Sequence, residues 1–152
     1  EMGEMSTLTK SIEISAPVEA VFAYALDIGT VWSSFAEAAV HDVDLKPDGV
    51  GTSATIYSHF LGFHIEGKVE YTEVVPNEKI VAKVHFTGEK PTWTFTFAPA
   101  EGGTTLTATG EWHVGIPAVG GTIEGMMAKE HAEPLEEWLA TIKAGVEAKA
   151  AA

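Results

Sequence analysis

The sequence predicts an α+β domain in which a curved antiparallel sheet of seven strands grips one long C-terminal helix. Three observations carry that prediction. Leu8 to Ile14 alternate between apolar and polar residues, the period of a half-buried strand. From Val40 to Val114 the same period returns in six stretches separated by turn residues. From Gly121 to Glu147, Ile123, Met127, His131, Leu135, Trp138, Ile142 and Val146 recur at steps of three or four. On a helix these form one apolar stripe interrupted by a single histidine.

Taken in order, residues 1–5 fit no element and read as an appended or disordered start, so the domain is expected over 6–147. After the first strand, Ser15-Ala16-Pro17-Val18-Glu19 opens a short helix with a hydroxyl for the cap and proline in the first turn. Val21, Phe22, Ala25 and Leu26 give it an apolar face, and Asp27 and Gly29 end it. Val31 to Ala39 suggest a second short helix carrying Trp32 and Phe35. Strands follow near Val40–Lys46, Thr52–Phe60, His64–Val74, Lys79–Phe86, Thr92–Ala98 and Thr104–Val114. Pro47-Asp48-Gly49, Leu61-Gly62, Pro76-Asn77-Glu78, Gly88-Glu89-Lys90-Pro91 and Glu101-Gly102-Gly103 separate them, and such short breaks favour hairpins. Trp93, Phe95 and Phe97 alternate with threonines, as do Leu106, Ala108, Gly110 and Trp112, so one face of the sheet is apolar and the other hydroxyl-rich. Pro134 falls inside the long helix, where a kink or restart at Glu133-Pro134 is expected.

Composition bounds the function. With 45% hydrophobic residues among 152, the chain can bury a substantial core. It has no cysteine, which removes disulfide, thiolate-metal and cysteine-nucleophile chemistry. The net charge of −13 argues against nucleic acid or an anionic membrane as partner. All nine basic residues are lysines, so the guanidinium fork that clamps phosphate or carboxylate is missing. No apolar run reaches the ~20 residues of a membrane-spanning helix, and no secretory leader opens the chain. A soluble, cytoplasmic protein without integral membrane association is the expectation. No cofactor motif is present: Gly120-Gly121-Thr122 lacks the lysine and spacing of a nucleotide site.

The order of several local sequences resembles one superfamily. Ser15–Phe22 after a first strand, Gly51-Thr52 opening a strand, Val74-Val75-Pro76 closing one, and Trp93-x-Phe95 all fit it. Gly103-Thr104-Thr105-Leu106 and Leu135-x-x-Trp138-Leu139-x-x-Ile142-Lys143 complete the series. Together they are similar to the helix-grip superfamily, also called SRPBCC or START-like, the polyketide cyclase/dehydrase and lipid-transport type with a birch-pollen-allergen-like fold. The resemblance implies a hydrophobic cavity between sheet and C-terminal helix for a small aromatic or lipid-like molecule. Members range from carriers to enzymes and share no universal catalytic motif, so the resemblance transfers no catalytic residue.

The residues themselves offer candidates. His131, within the apolar stripe, is placed to face the cavity and to move a proton near neutral pH, the plainer account being a histidine at the stripe's edge. His41 shares strand parity with Val43 and Leu45, taken as inward, and is the second acid/base candidate. Tyr71 points inward by parity and offers a phenol to a ligand. Trp32, Trp93, Phe95, Trp112, Met127, Leu135 and Trp138 are candidate cavity walls, although such residues are more often plain core. Glu73 shares Tyr71's parity, so it is either an inward carboxylate or the mark of a strand end or bulge. Six histidines include no pair at helical ligand spacing, and no metal site is expected. The leading expectation is binding of a small apolar or aromatic molecule. The alternatives are a polyketide cyclase/dehydrase-type enzyme using a cavity histidine, and a protein-interaction module of unknown partner.

Overall fold

The computed structural model describes residues 5–33, 39–60, 63–85, 91–113 and 120–151, with side-chain surroundings for 7–33, 39–57, 66–85, 91–111 and 135–150. Seven strands and three helices follow the predicted order: β1 (Met5–Ile14), α1 (Val18–Leu26), α2 (Ile28–Ser33), β2 (Ala39–Asp44), β3 (Ser53–Phe60), β4 (Phe63–Val75), β5 (Lys79–His85), β6 (Thr92–Ala100), β7 (Gly103–His113) and α3 (Gly120–Ala151). The strands form one antiparallel sheet ordered β1-β7-β6-β5-β4-β3-β2, with the hairpins implied by the short turns and the first strand closing onto the last.

Two local expectations are corrected. The second short helix begins at Ile28 rather than Val31, because Asp27 both ends α1 and starts α2. Its amide donates to the Tyr24 carbonyl, while its own carbonyl receives the amides of Thr30 and Val31 at 3.0 Å and its carboxylate receives the Thr30 hydroxyl at 2.8 Å. Phe35 lies outside the described residues. Ser15 does not cap α1: Pro17 holds the N-cap position in extended geometry, and the Ser15 amide donates to Glu147 in α3.

The core lies on one face of the sheet. Side chains across a register row alternate in size: Tyr71 (β4), Ala82 (β5), Trp93 (β6), Gly110 (β7), Leu8 (β1). Large rings can lie flat only where a neighbour is small. α1 contributes Val21, Phe22 and Ala25 to this layer and α2 contributes Ile28, Val31 and Trp32, all buried. On the opposite face the strands present hydroxyls that pair across strands, Ser11 with Thr107 at 2.7 Å and Thr9 with Thr109 at 3.2 Å.

Leu135, Trp138, Leu139, Ile142 and Val146 form the buried stripe of α3. The helix packs most extensively on β1, and polar ties fix its direction. Lys10 pairs with Glu136 at 3.0 Å, and further along Lys143 donates to the Glu13 carbonyl while Glu147 accepts from Ser15. Moving toward the N-terminus of α3 is thus moving toward the start of β1. Of the kink or restart anticipated at Glu133-Pro134, the restart does not occur, since α3 is a single helix of 32 residues.

Candidate functional site

The direction of α3 defines two ends of the inner sheet face. At the end near Ser15, the inner face carries the large buried side chains Ile14, Ile80, Phe95, Phe97 and Leu106. At the other end the floor sets small residues among Ile56, Tyr71 and Trp93. Ala54, Gly67, Val69, Ala82, Val84 and Gly110 all lie there and are all buried. N-terminal to its described buried stripe, the helical backbone of α3 continues over Gly120 to Pro134, about 22 Å of helix.

Between the two ends stands an aromatic cluster. Trp138 meets Trp32 with ring centroids 4.9 Å apart, Phe95 at 5.4 Å and Trp93 at 6.2 Å, the last two edge to face. Trp32 also meets Phe95 edge to face at 6.3 Å. The sequence-based candidates Trp32, Tyr71, Trp93, Phe95, Leu135 and Trp138 are therefore brought together, all inward and buried.

The polar atoms of Trp138 and Tyr71 are engaged with the protein. The Trp138 indole donates to the Val31 carbonyl at 2.6 Å, tying α3 to α2. The Tyr71 hydroxyl donates to the Ala25 carbonyl at 2.7 Å, tying β4 to the end of α1. Burial pushes the Tyr71 phenol far above its usual range; the neighbouring Trp32 indole works against that shift and the Asp27 charge adds to it. Tyr71 faces inward as parity predicts, but its proton is already committed to Ala25. It acts as a strut rather than as a donor to a ligand.

His41 departs from expectation. It pairs with Thr55, on the face opposite Ala54 and Ile56, and is exposed. The reason is a bulge: three steps from His41 to Asp44 match two from Thr55 to Ser53, with Asp42 in the left-handed conformation at φ 55°. The extra residue interrupts the parity shared with Val43 and Leu45, and these two, taken as inward from the sequence, are themselves exposed, Val43 lying beside Gly29. His41 instead sets its ring edge-on to exposed Tyr57, whose phenol pKa is raised first by the charge of Glu66 opposite it. A second bulge, between Tyr71 and Glu73, turns Glu73 outward into an ion pair with Lys79 at 2.9 Å. His85 is exposed as well. The backbones of Trp112, Met127 and His131 lie on β7 and α3, but their side chains fall outside the described residues.

Among the described residues, no three His, Asp or Glu side chains gather where a metal ion could sit, and no helix is long and apolar enough to cross a membrane. Sequence reasoning missed Gly110 and Gly67 as part of the floor. A glycine placed on the apolar parity of a strand, across from a tryptophan, was the available signal.

Comparison with known proteins agrees with this architecture. The profile of a family described as "Activator of Hsp90 ATPase homolog 1-like protein" matches residues 15–147. A protein of unknown function from Staphylococcus aureus superposes with a TM-score of 0.78 at 12% identity, covering 99% of this chain and 98% of that one. The di-domain ARO/CYC StfQ from the steffimycin biosynthetic pathway superposes with a TM-score of 0.75 at 14% identity, over 97% of this chain and 52% of that one. Ara h 8.0201 gives 0.67 at 13% identity, over 95% and 99% of the two chains. At these identities the structural likenesses establish the fold alone. No curated protein sequence matches the chain.

Proposed function

The chain belongs to the Activator of Hsp90 ATPase homolog 1-like family within the helix-grip superfamily, and from that premise we propose that it binds a small apolar or aromatic molecule between the sheet and the N-terminal half of α3. The observation that carries the reading is the set of small inward residues, Ala54, Gly67, Ala82 and Gly110, interspersed with the large rings of Tyr71 and Trp93 toward the start of β1. Binding is favoured over acid/base turnover because, among the described residues, the inner face presents no free titratable group. Tyr71 is spent on Ala25, Lys10 at the margin is paired with Glu136, and His41 faces outward. The cyclase/dehydrase alternative rests on His131 alone. Since the floor is buried, the ligand displaces its cover rather than entering an open mouth.

Titration with the neutral dyes prodan and Nile red tests this reading. Saturable binding, with a blue shift of dye emission and quenching of tryptophan fluorescence, is expected. Absence of saturable binding by either dye refutes the proposal. An aromatic polyketide-like substrate consumed by the protein, with turnover abolished in His131→Ala, establishes the enzyme instead.

A further inference from the structure

Resting on that reading, we propose that Trp93, laid flat over Gly110, is the wall that limits ligand size, and that the ligand it admits is an uncharged, planar aromatic molecule. The geometry of Gly110 carries the argument. A Cβ built there would meet the outer edge of the Trp93 six-membered ring, 2.6 Å from Cη2, 2.7 Å from Cζ3 and 2.8 Å from Cζ2. These are closer than any packed carbon pair allows, so the absent side chain is what permits the ring to lie down across β7. No left-handed backbone requires glycine at this position, since the positive-φ glycines are Gly49, Gly51 and Gly102. Gly110 is needed for space.

Trp93 also marks a boundary. It is the first inward residue of β6, and Trp138 meets it edge-on from α3, closing the packed cluster on one side. On its other side lies the end of the sheet that holds Gly67, Val84 and the start of β1. A ring lying flat leaves depth above the floor; a ring lifted off β7 takes that depth away.

The ligand's class follows from charge. The chain contains no arginine, and Lys10, the inward-parity cation of β1, is held by Glu136 at the margin. An anionic guest would lose its hydration with no described partner in return. Aromatic faces and small aliphatic side chains suit a flat neutral molecule.

The test compares two neutral dyes of different size, prodan and the larger Nile red, on the intact protein. In Gly110→Ala the lifted ring is expected to weaken Nile red at least about tenfold while prodan changes less than about threefold. Trp93→Phe alone is expected to shift the ratio the other way. The double variant, whose smaller ring clears the new methyl group, is expected to recover Nile red binding and so separates lost space from a lost fold. An unchanged dye ratio in Gly110→Ala overturns the proposal while leaving the ligand-binding reading intact. Equal loss of both dyes that Trp93→Phe does not rescue also overturns it. Failure of the unmodified protein to bind either dye overturns the reading beneath it.

Discussion

Replacing Tyr71 by phenylalanine separates the hydrogen bond of the strut from its packing. The ring and its buried contacts remain, while the Ala25 carbonyl at the end of α1 loses its donor. A buried acceptor left unpaired costs about 1–3 kcal/mol, so a loss near 2 kcal/mol is expected at neutral pH. For a chain of this length that lowers Tm by about 4–8 °C, readable by calorimetry or circular dichroism. The pH dependence provides an independent check. Folding raises the Tyr71 pKa above its unfolded value of 10.0, so the unfolded chain releases the proton first as pH rises. The stabilisation is fully present below pH 10 and declines above it, by at most about 1.4 kcal/mol per pH unit for one group. Phenylalanine has no such term. The stability gap between the two proteins should therefore narrow above pH 10. A variant within about 0.5 kcal/mol of the parent at pH 7, or a gap that stays constant into the alkaline range, refutes the strut.

Other substitutions probe the remaining ties. Trp138→Phe removes the donor to Val31 and shrinks the ring at the centre of the cluster; a loss of about 2–4 kcal/mol is expected, as a lowered urea midpoint with unchanged slope. The Glu147 pKa is lowered by the hydrogen bond from Lys143 and then by that from the Ser15 amide, so its contribution is present above its unfolded value of 4.5 and lost as pH falls through the folded value. Glu147→Gln should flatten the acid limb of the stability profile, and an unaltered limb would place the acid sensitivity elsewhere. Gly49 and Gly102 both have positive φ, 90° and 81°, but a Cβ at Gly49 would also press on Leu26 at 3.1 Å and Val74 at 3.2 Å, whereas Gly102 faces open space. Gly102→Ala should cost the backbone strain of about 1–2 kcal/mol, and Gly49→Ala more. Chemical denaturation ranks the pair, and the reverse order would refute the packing assigned to the β2–β3 turn.

The strands and the closing helix were legible because periodicity reports a face directly, as Trp93, Phe95 and Phe97 against their threonines do. The bulges were not. Nothing near His41 or Tyr71 announces an extra residue, since Asp42 reaches left-handed geometry without needing glycine, so parity extended past it assigned His41 to the wrong face. Glu73 fared better, because a bulge was one of the two readings open for it. Inward placement of Tyr71 and Trp138 could be read, but what they bind could not. Their acceptors are main-chain carbonyls 46 and 107 residues away, and every residue carries the same carbonyl. The small residues of the floor were hidden for a related reason: a missing side chain leaves no hydrophobic signal to count.

The bulge at Asp42 has a further consequence for the protein in crowded solution. β2 and β1 are the two open borders of the sheet, and an open border is a template on which another molecule can add a strand. At β2 the left-handed Asp42 breaks the regular run of amides and carbonyls, and Asp42 and Asp44 add negative charge to it. At β1, α3 lies alongside, and Lys143 and Glu147 occupy the Glu13 carbonyl and the Ser15 amide. Each border is blunted by a different device. The irregularity that misdirected His41 is what discourages copies of this chain from stacking edge to edge into aggregates.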